Sequence, residues 1–390
     1  GEITALELHE GWSLAARVES PRTLRAMTSP DRIRLVVLFG GQSAEHEVSC
    51  VSAYHLLRAV DPVRYEVEAV GINREGTWVR ADDATAALQR GAAALPAPSG
   101  AGRLEAVGTA IDPLPALRQE SGDVPVVVVP LLHGTRGEDG TVQGMLELAN
   151  LPFVGSGVLG SALCMDKLKA KDVLAAHDLP QVPWIGLRDT ELDDVAERVD
   201  DAGLTFPLFV KPANLGSSVG VSRATDPASL VAACALAAEY DEWIVVEQGV
   251  QGREIEVAVL GNADPRASVP GEIRPAGDFY HYEDKYIDDA AELIIPADLP
   301  ADVTEEIQRL AVTSFTALRC DGMARVDFFY EPDGRGVVIN EVNTIPGFTP
   351  ISMYPKMWEA SGLPYAALID ELVRLALERH ERRSRFSTKR

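Results

Sequence analysis

Basic residues are scarce in this 390-residue sequence: 36 Lys and Arg stand against 59 Asp and Glu, a formal charge of −23. That balance excludes nucleic acid as the main partner, because such proteins present basic surface to phosphate. It does not exclude a nucleotide, since one pocket can be basic and a divalent cation can neutralise phosphate. Cysteine is sparse too. Cys50, Cys164, Cys234 and Cys320 lie far apart and form no CxxC pair, which speaks against zinc or a disulfide framework and fits a reducing cytosol. Long hydrophobic runs are missing. No stretch of about 20 apolar residues occurs, so no membrane span is expected. The longest aliphatic run, 124–132, is broken by Pro125 and Pro130 and reads as a buried strand. The first 30 residues carry scattered charge and no apolar stretch of a signal peptide. A cytoplasmic protein is expected.

What is present is ordinary for a globular chain, 46% apolar and 24% charged, with length for two or three domains and for a core that needs no disulfide. Residues 1–31 begin with Gly and hold charges of both signs. With those charges scattered rather than patterned, the segment reads as an N-terminal extension, a tag or flexible leader ahead of a native start near Met27; a short docked helix is the alternative. From Ile33 a β-branched strand, the turn Gly40-Gly41-Gln42-Ser43 and a helix with Val48, Val51, Leu56 and Val60 at helical spacing make an α/β opening unit. Residues 65–72 are a second strand, 91–103 a surface loop, and 124–132 a strand leading into the glycine-rich loop 132–140. Helical spacing covers 166–177, with Lys167, Lys169 and Lys171 giving a basic face. Strands are expected at 206–211, 243–247 and 254–260, a hairpin at 325–330 and 337–341, and a closing helix at 363–380.

Four constellations carry chemistry. In Lys211-Pro212-Ala213-Asn214-Leu215-Gly216-Ser217-Ser218-Val219-Gly220 a lysine ends a strand before a loop of small residues whose N–H groups can approach phosphate. It is no Walker A loop, and a tight hairpin with a solvated lysine reads equally well. Arg325-Val326-Asp327 is followed, fourteen residues after Asp327, by Glu341-Val342-Asn343. Residues two apart in a strand share a face, so pairing would converge two carboxylates and an amide beside a guanidinium, a donor set suited to Mg2+. The alternative is a surface salt-bridge ladder; apolar Val326, Phe328, Val342 and Ile345 favour the metal. The segment 343–352 offers hydroxyls and free amides that can take a carboxylate, or is merely a long connection. Ser43-Ala44-Glu45-His46-Glu47 opens the first helix, where local sequence favours simple capping and a helix-dipole role.

In order along the chain, Phe39-Gly40-Gly41-Gln42-Ser43-Ala44-Glu45-His46-Glu47-Val48-Ser49, Leu132-His133-Gly134 with Gly137-Glu138-Asp139-Gly140, Met165-Asp166-Lys167, Gly216-Ser217-Ser218-Val219-Gly220, Tyr282-Glu283-Asp284-Lys285-Tyr286 and Glu341-Val342-Asn343-Thr344-Ile345-Pro346-Gly347 resemble the D-alanine–D-alanine ligase family of the ATP-grasp superfamily, over about 33–380. The resemblance implies an α/β chain with an ATP-grasp fold: an N-terminal Rossmann-like substrate domain at 32–155, a central lobe at 156–247 and a C-terminal lobe at 248–390 with the metal and acceptor site. It implies ATP-dependent joining of two D-alanines through a D-alanyl phosphate, for peptidoglycan precursors, by a homodimer, with two Mg2+; it leaves room for Mn2+ and for a monovalent cation. Residue by residue, Lys167 and Lys211 match phosphate-binding lysines, and Gly216, Ser217 and Ser218 the loop over the phosphates. Glu247, with the backbone of Gln248 through Val250, matches the adenine hinge, and Glu254 a ribose carboxylate. Asp327, Glu341 and Asn343 match metal ligands. Glu45 matches the group that holds the first substrate's ammonium, with His133 nearby. Arg325 and Gly347 match the oxyanion stabilisers, and Ser352 a contact to the second substrate's carboxylate. Tyr286 matches a tyrosine of a closing loop that reaches Ser217 and Glu45. An intact Lys285-Tyr286 favours D-alanine as acceptor over D-lactate or D-serine; His281, where an acidic residue is common, bears on local pH behaviour only. Against a catalytically lost regulator stands the full set Arg325, Asp327, Glu341 and Asn343. Glycine-rich loops and paired carboxylates oppose a scaffold role.

Overall fold

A computed structural model of the protein describes residues 32–89, 103–118, 124–274 and 292–387. The extension expected over 1–31, nearly all of the loop expected over 91–103, and His281, Lys285 and Tyr286 lie outside the described residues.

The N-terminal elements are β1 (Ile33–Gly40), α1 (His46–Ala59), β2 (Tyr65–Ile72), β3 (Trp78–Arg80), α2 (Asp82–Gln89), β4 (Thr109–Ala110), α3 (Pro113–Arg118), β5 (Val126–Pro130) and α4 (Thr141–Leu148). The strands form one sheet in the order β4-β3-β2-β1-β5. β1 lies parallel to both β2 and β5, and all eight of its residues are buried, as expected of a strand covered on both faces. Leu35, Val37 and Phe39 pack on the α1 side, while Val36 and Leu38 pack with Val142 and Leu146 of α4. β5 is shorter than expected because Pro125 lacks the N–H a ladder needs. The loops at the carboxyl ends of β1 and β5, 41–45 and 131–140, stand side by side, where open α/β sheets present ligand sites.

Next come α5 (Val158–Met165), α6 (Lys167–Ala176), β6 (Trp184–Arg188), α7 (Val195–Asp201), β7 (Leu208–Pro212), β8 (Ser222–Ala224), α8 (Pro227–Ala237) and β9 (Trp243–Gln248). β6-β9-β7-β8 is an antiparallel sheet. One face packs Leu208, Val210, Ile244 and Val246 against Leu230 and Cys234 of α8. On the other, Val245 meets Leu168 of α6.

The remaining elements are β10 (Arg253–Gly261), β11 (Arg266–Ala267), β12 (Gly271–Arg274), β13 (Glu292–Ile294), α9 (Ala301–Ala317), β14 (Gly322–Glu331), β15 (Gly336–Asn343), α10 (Met353–Ala360) and α11 (Tyr365–Ser384). Their sheet runs β13-β12-β10-β14-β15, with β11 on β10. Val257, Val326, Phe328 and Ile339 form a core with α9 and with Cys164, Ala170 and Leu174 of α5 and α6. The alternate residues of β10, β14 and β15 are thereby turned toward the opposite face, where the charged side chains sit.

Candidate active site

Glu45 stands at the N-cap position of α1 but makes no capping bond. Its carboxylate accepts the Ser217 hydroxyl instead, across 172 residues of sequence. The capping reading favoured by local sequence therefore fails for the Glu45 side chain, while Glu47 does stand in the first turn as the helix dipole favours. The orphan Glu45 N–H is taken by Ser43 Oγ at 3.2 Å, which itself donates to the His133 carbonyl at 2.8 Å, leaving the carboxylate free to face the loop. Gly216 lies against the same carboxylate: a Cβ on it would come 2.8 Å from Glu45 Oε2 and push that side chain aside. Ser217 and Ser218 both hold left-handed φ, +51° and +58°, a conformation that non-glycine residues keep only where the surroundings dictate it.

His133 is buried beside this pair. Its Nδ1 lies 2.9 Å from the Ile345 carbonyl and its Nε2 3.4 Å from Ser52 Oγ, so Nδ1 carries the proton and Nε2 accepts. Burial, ahead of an opposing pull from Glu45, holds its pKa below the usual histidine value; it is neutral at pH 7. Glu138 accepts the Gly134 N–H at 2.8 Å. Burial and then the Glu45 charge push its carboxyl up to about 8.

The lysines of α6 do not form one basic face. Helical period puts residues i and i+4 together and turns i+2 away. Lys169 is accordingly exposed and pairs with Asp172 at 2.9 Å, whereas Lys167 and Lys171 point inward. Lys167 Nζ donates to the Leu215 carbonyl at 2.6 Å and lies 3.7 Å from Glu341. Lys171 is 3.1 Å from Glu247 Oε1. Lys211, at the end of β7, reaches Glu247 Oε2 at 2.8 Å and Asn340 Oδ1 at 3.4 Å. It is not a solvated hairpin lysine. Burial alone would raise the Glu247 pKa, but Lys171 and Lys211 outweigh it and bring it down to about 2.

On the large sheet the expected convergence is present: Arg325 opposes Asn343 and Asp327 opposes Glu341. Arg325 grips Asp327 with two bonds of 2.7 Å, and Asn343 Nδ2 donates to Asp327 Oδ2 at 2.9 Å. Glu256, cross-strand from Asp327, lies 3.2 Å from Arg325 Nε. A register shift after Asp327 leaves Asn340 as the extra residue of β15, and its amide oxygen faces Lys211. Among the described residues no three His, Cys, Asp or Glu cluster as a metal cage. Mg2+ needs none, since it is held by one or two carboxylates and by substrate phosphates. Asp327, Glu341 and Asn343, all turned to the charged face, fit that pattern.

Gly347 and Ser352 are neighbours: a Cβ on Gly347 would lie 3.3 Å from Ser352 Oγ, which accepts the Thr349 N–H at 3.1 Å. Glu254 sits two residues before Glu256 on β10, opposite Phe329. The Gln248 side chain is spent on Thr205, bonding its carbonyl at 2.6 Å and its N–H at 2.8 Å, and the Gln248 and Gly249 N–H groups are taken by the Pro183 and Pro207 carbonyls. Sequence reasoning gave no site role to Lys171, Glu256, Glu138, Ser52 or Asn340. Helical spacing from Lys167 and strand spacing from Glu254 could have found the first two. The bulge that turns Asn340 has no signal in the sequence.

Two family models match the chain: "D-ala D-ala ligase N-terminus" over residues 34–156 and "D-ala D-ala ligase C-terminus" over 173–374. The chain is 47% identical over 355 residues to the D-alanine–D-alanine ligase of Solibacter usitatus, covering 90% of this chain and 98% of that one. It is 47% identical over 369 residues to D-alanine–D-alanine ligase A of Salmonella typhimurium, covering 92% and 99%. Among solved structures, the D-alanine–D-alanine ligase of Coxiella burnetii matches with a TM-score of 0.75 at 38% identity, over 91% of this chain and 97% of that one. The D-Ala:D-Ser ligase VanG of Enterococcus faecalis matches at 0.75 and 34%, over 88% and 99%.

Proposed function

The chain belongs to the D-alanine–D-alanine ligase family, with its ATP-grasp fold, and from that premise we propose the following account of its reaction and site. The enzyme joins two D-alanine molecules to D-alanyl-D-alanine for peptidoglycan precursors, consuming ATP and using a divalent cation. One observation carries the reading: Arg325, Asp327, Glu341 and Asn343 share one register-matched patch, close to Lys167 and, through Asn340, to Lys211.

A carboxylate is a poor acyl donor because oxide is a poor leaving group. One carboxylate oxygen of the first D-alanine attacks the γ-phosphorus, ADP leaves, and an acyl phosphate forms. Such a transfer asks the protein for position and charge neutralisation, which Lys167, Lys211 and Arg325 provide. Divalent ions held by Asp327, Glu341 and Asn343 add neutralisation at the phosphates; two Mg2+ are proposed, with Mn2+ as a substitute and a monovalent cation as a further activator. Glu45, steadied by Ser217, takes the ammonium of the first D-alanine, with neutral His133 beside it. The amine of the second D-alanine then attacks the acyl carbon, loses a proton, and phosphate departs. Arg325 and the Gly347 N–H stabilise the oxyanion, and Ser352 takes the acceptor's carboxylate. Glu247, the 248–250 backbone and Glu254 receive adenine and ribose, and Gly216, Ser217 and Ser218 cover the phosphates. Lys285 and Tyr286, outside the described residues, close the site in this account.

Lobes at 32–155, 156–247 and 248–390 are proposed to divide that work, in a homodimer acting in the cytoplasm, where ATP is supplied. Among the described residues no helix is long and apolar enough to cross a membrane. The test is phosphate release from Mg-ATP with D-alanine, L-alanine, or D-alanine plus D-lactate or D-serine, with products weighed by mass spectrometry. D-alanyl-D-alanine from the D-isomer alone is expected. A depsipeptide or D-alanyl-D-serine as main product would reassign the acceptor, and no turnover would overturn the reading.

A further inference from the structure

Lys171 has no part in the account above, yet it is the most deeply buried charge at the nucleotide end of the site. Its side chain is 3% exposed, against 14% for Lys211. Glu247 has one cation per oxygen, Lys171 on Oε1 at 3.1 Å and Lys211 on Oε2 at 2.8 Å. One ammonium would balance this carboxylate. A second buried ammonium costs desolvation that its attraction need not return. Glu341, 3.7 Å from Lys167, attracts both Lys171 and Lys211, and Glu254 attracts Lys211, but Glu247 is the carboxylate that each of the two touches.

Two ammonium groups on one carboxylate make sense if one lysine has to leave. Lys211 is the one placed to do so. It stands near the end of β7, just before the glycine-serine loop, it is the more exposed of the two, and it also reaches Asn340 across a long 3.4 Å bond. Lys171 is fixed. It sits inside α6, with its carbonyl held by Gln181 at 3.1 Å.

We propose that Lys171 is a positioning residue that keeps Glu247 ionised and in place when Lys211 moves from Glu247 to the phosphates of the nucleotide. The proposal rests on the reading of Glu247 and Lys211 as the adenine and phosphate ligands. Without Lys171, a phosphate can capture Lys211 only by stripping a buried carboxylate of its last cation. The penalty falls on phosphate binding rather than on adenine binding.

The test is calorimetric binding of adenosine and of ADP, at fixed Mg2+ and without D-alanine. The ratio of the two dissociation constants reports the phosphate contribution. Lys171→Met is expected to weaken ADP by about tenfold or more, the scale of one buried charge pair, while adenosine changes by less than about threefold. Lys171→Arg restores the ratio, and Lys169→Met, on the exposed side of the same helix, leaves it alone. The pair Glu247→Gln and Glu247→Gln/Lys171→Met gives the second reading. With the carboxylate gone Lys211 is free in both, so both should show the same ratio, whether or not the single Lys171→Met variant folds. Equal losses for adenosine and ADP in Lys171→Met, an unchanged ratio, or different ratios in the two Glu247→Gln backgrounds would overturn the proposal. Failure of the underlying reading looks different: Lys211→Met would then leave the ratio of the otherwise wild-type enzyme unchanged.

Discussion

Arg325 is the residue on which the charge balance of the site turns. It holds both oxygens of Asp327 and touches Glu256, and these acids keep it charged against the cost of burial, with its pKa above the usual arginine range. A lysine at this position keeps the charge but cannot reproduce the planar fork that fits a carboxylate. Arg325→Lys should lower kcat by about 10²–10³, the cost of losing one preorganised donor at a developing oxyanion, while ADP still binds. Steady-state rates set beside ADP calorimetry check this; a kcat within a few-fold of wild type would remove Arg325 from the chemistry. The sequence made the pairing of Arg325, Asp327, Glu341 and Asn343 legible because strand alternation and a four-residue turn leave few registers open. Local pattern could not reveal Glu45 bonded to Ser217, since that contact depends on two loops from different sheets; only the family resemblance, through Tyr286, had brought the two together.

At the scale of elements, α6 shows how a helix carries site and surface together. Asp166 caps it, accepting the Lys169 N–H at 3.0 Å, and this cap sits directly before Lys167. Asp166→Ala should cost about 1 kcal/mol of stability, the usual value of an N-cap, and should raise the KM for ATP because the first turn bearing Lys167 loosens. Lys169→Ala should change both by little, since an exposed i,i+3 pair contributes only tenths of a kcal/mol. Thermal midpoints and ATP titrations separate the two variants. Equal effects would mean that the inward face of α6 has no special role. This helix was legible from its boundaries, but reading its three lysines as one face was an error of period rather than of composition. In β15 the ladder was readable and its bulge was not, because a register shift is decided by packing across the sheet.

Across the whole molecule, the acids of the site respond to pH in opposite directions. Glu247, with its pKa drawn down to about 2 against an ordinary 4.5, contributes stability that is present above about pH 4.5 and is lost as pH falls through 2. Glu138 is the reverse. Its carboxyl is raised from 4.5 to about 8, so its contribution is complete below pH 4.5 and disappears as pH climbs through 8. Glu138→Gln keeps an acceptor for the Gly134 N–H and has no charge to acquire. Relative to wild type the variant should gain on the order of a few kcal/mol between pH 5 and pH 9, read as the difference in urea midpoints. A constant difference would mean that Glu138 is ionised throughout. This behaviour was beyond sequence reasoning, which placed Glu138 in a motif but had no way to measure how much water the fold removes from it. The broad architecture was legible from strand, glycine turn and helix at the opening, and from the hairpin near the end.

The central claim is ligation through an acyl phosphate, and D-alanine labelled with ¹⁸O in both carboxylate oxygens tests it most directly. One oxygen of the activated carboxylate should pass to the released phosphate, and the dipeptide should carry one label in its new amide and two in its terminal carboxylate. Unlabelled phosphate released alongside dipeptide would contradict the mechanism, since the carboxylate would then never have attacked phosphorus.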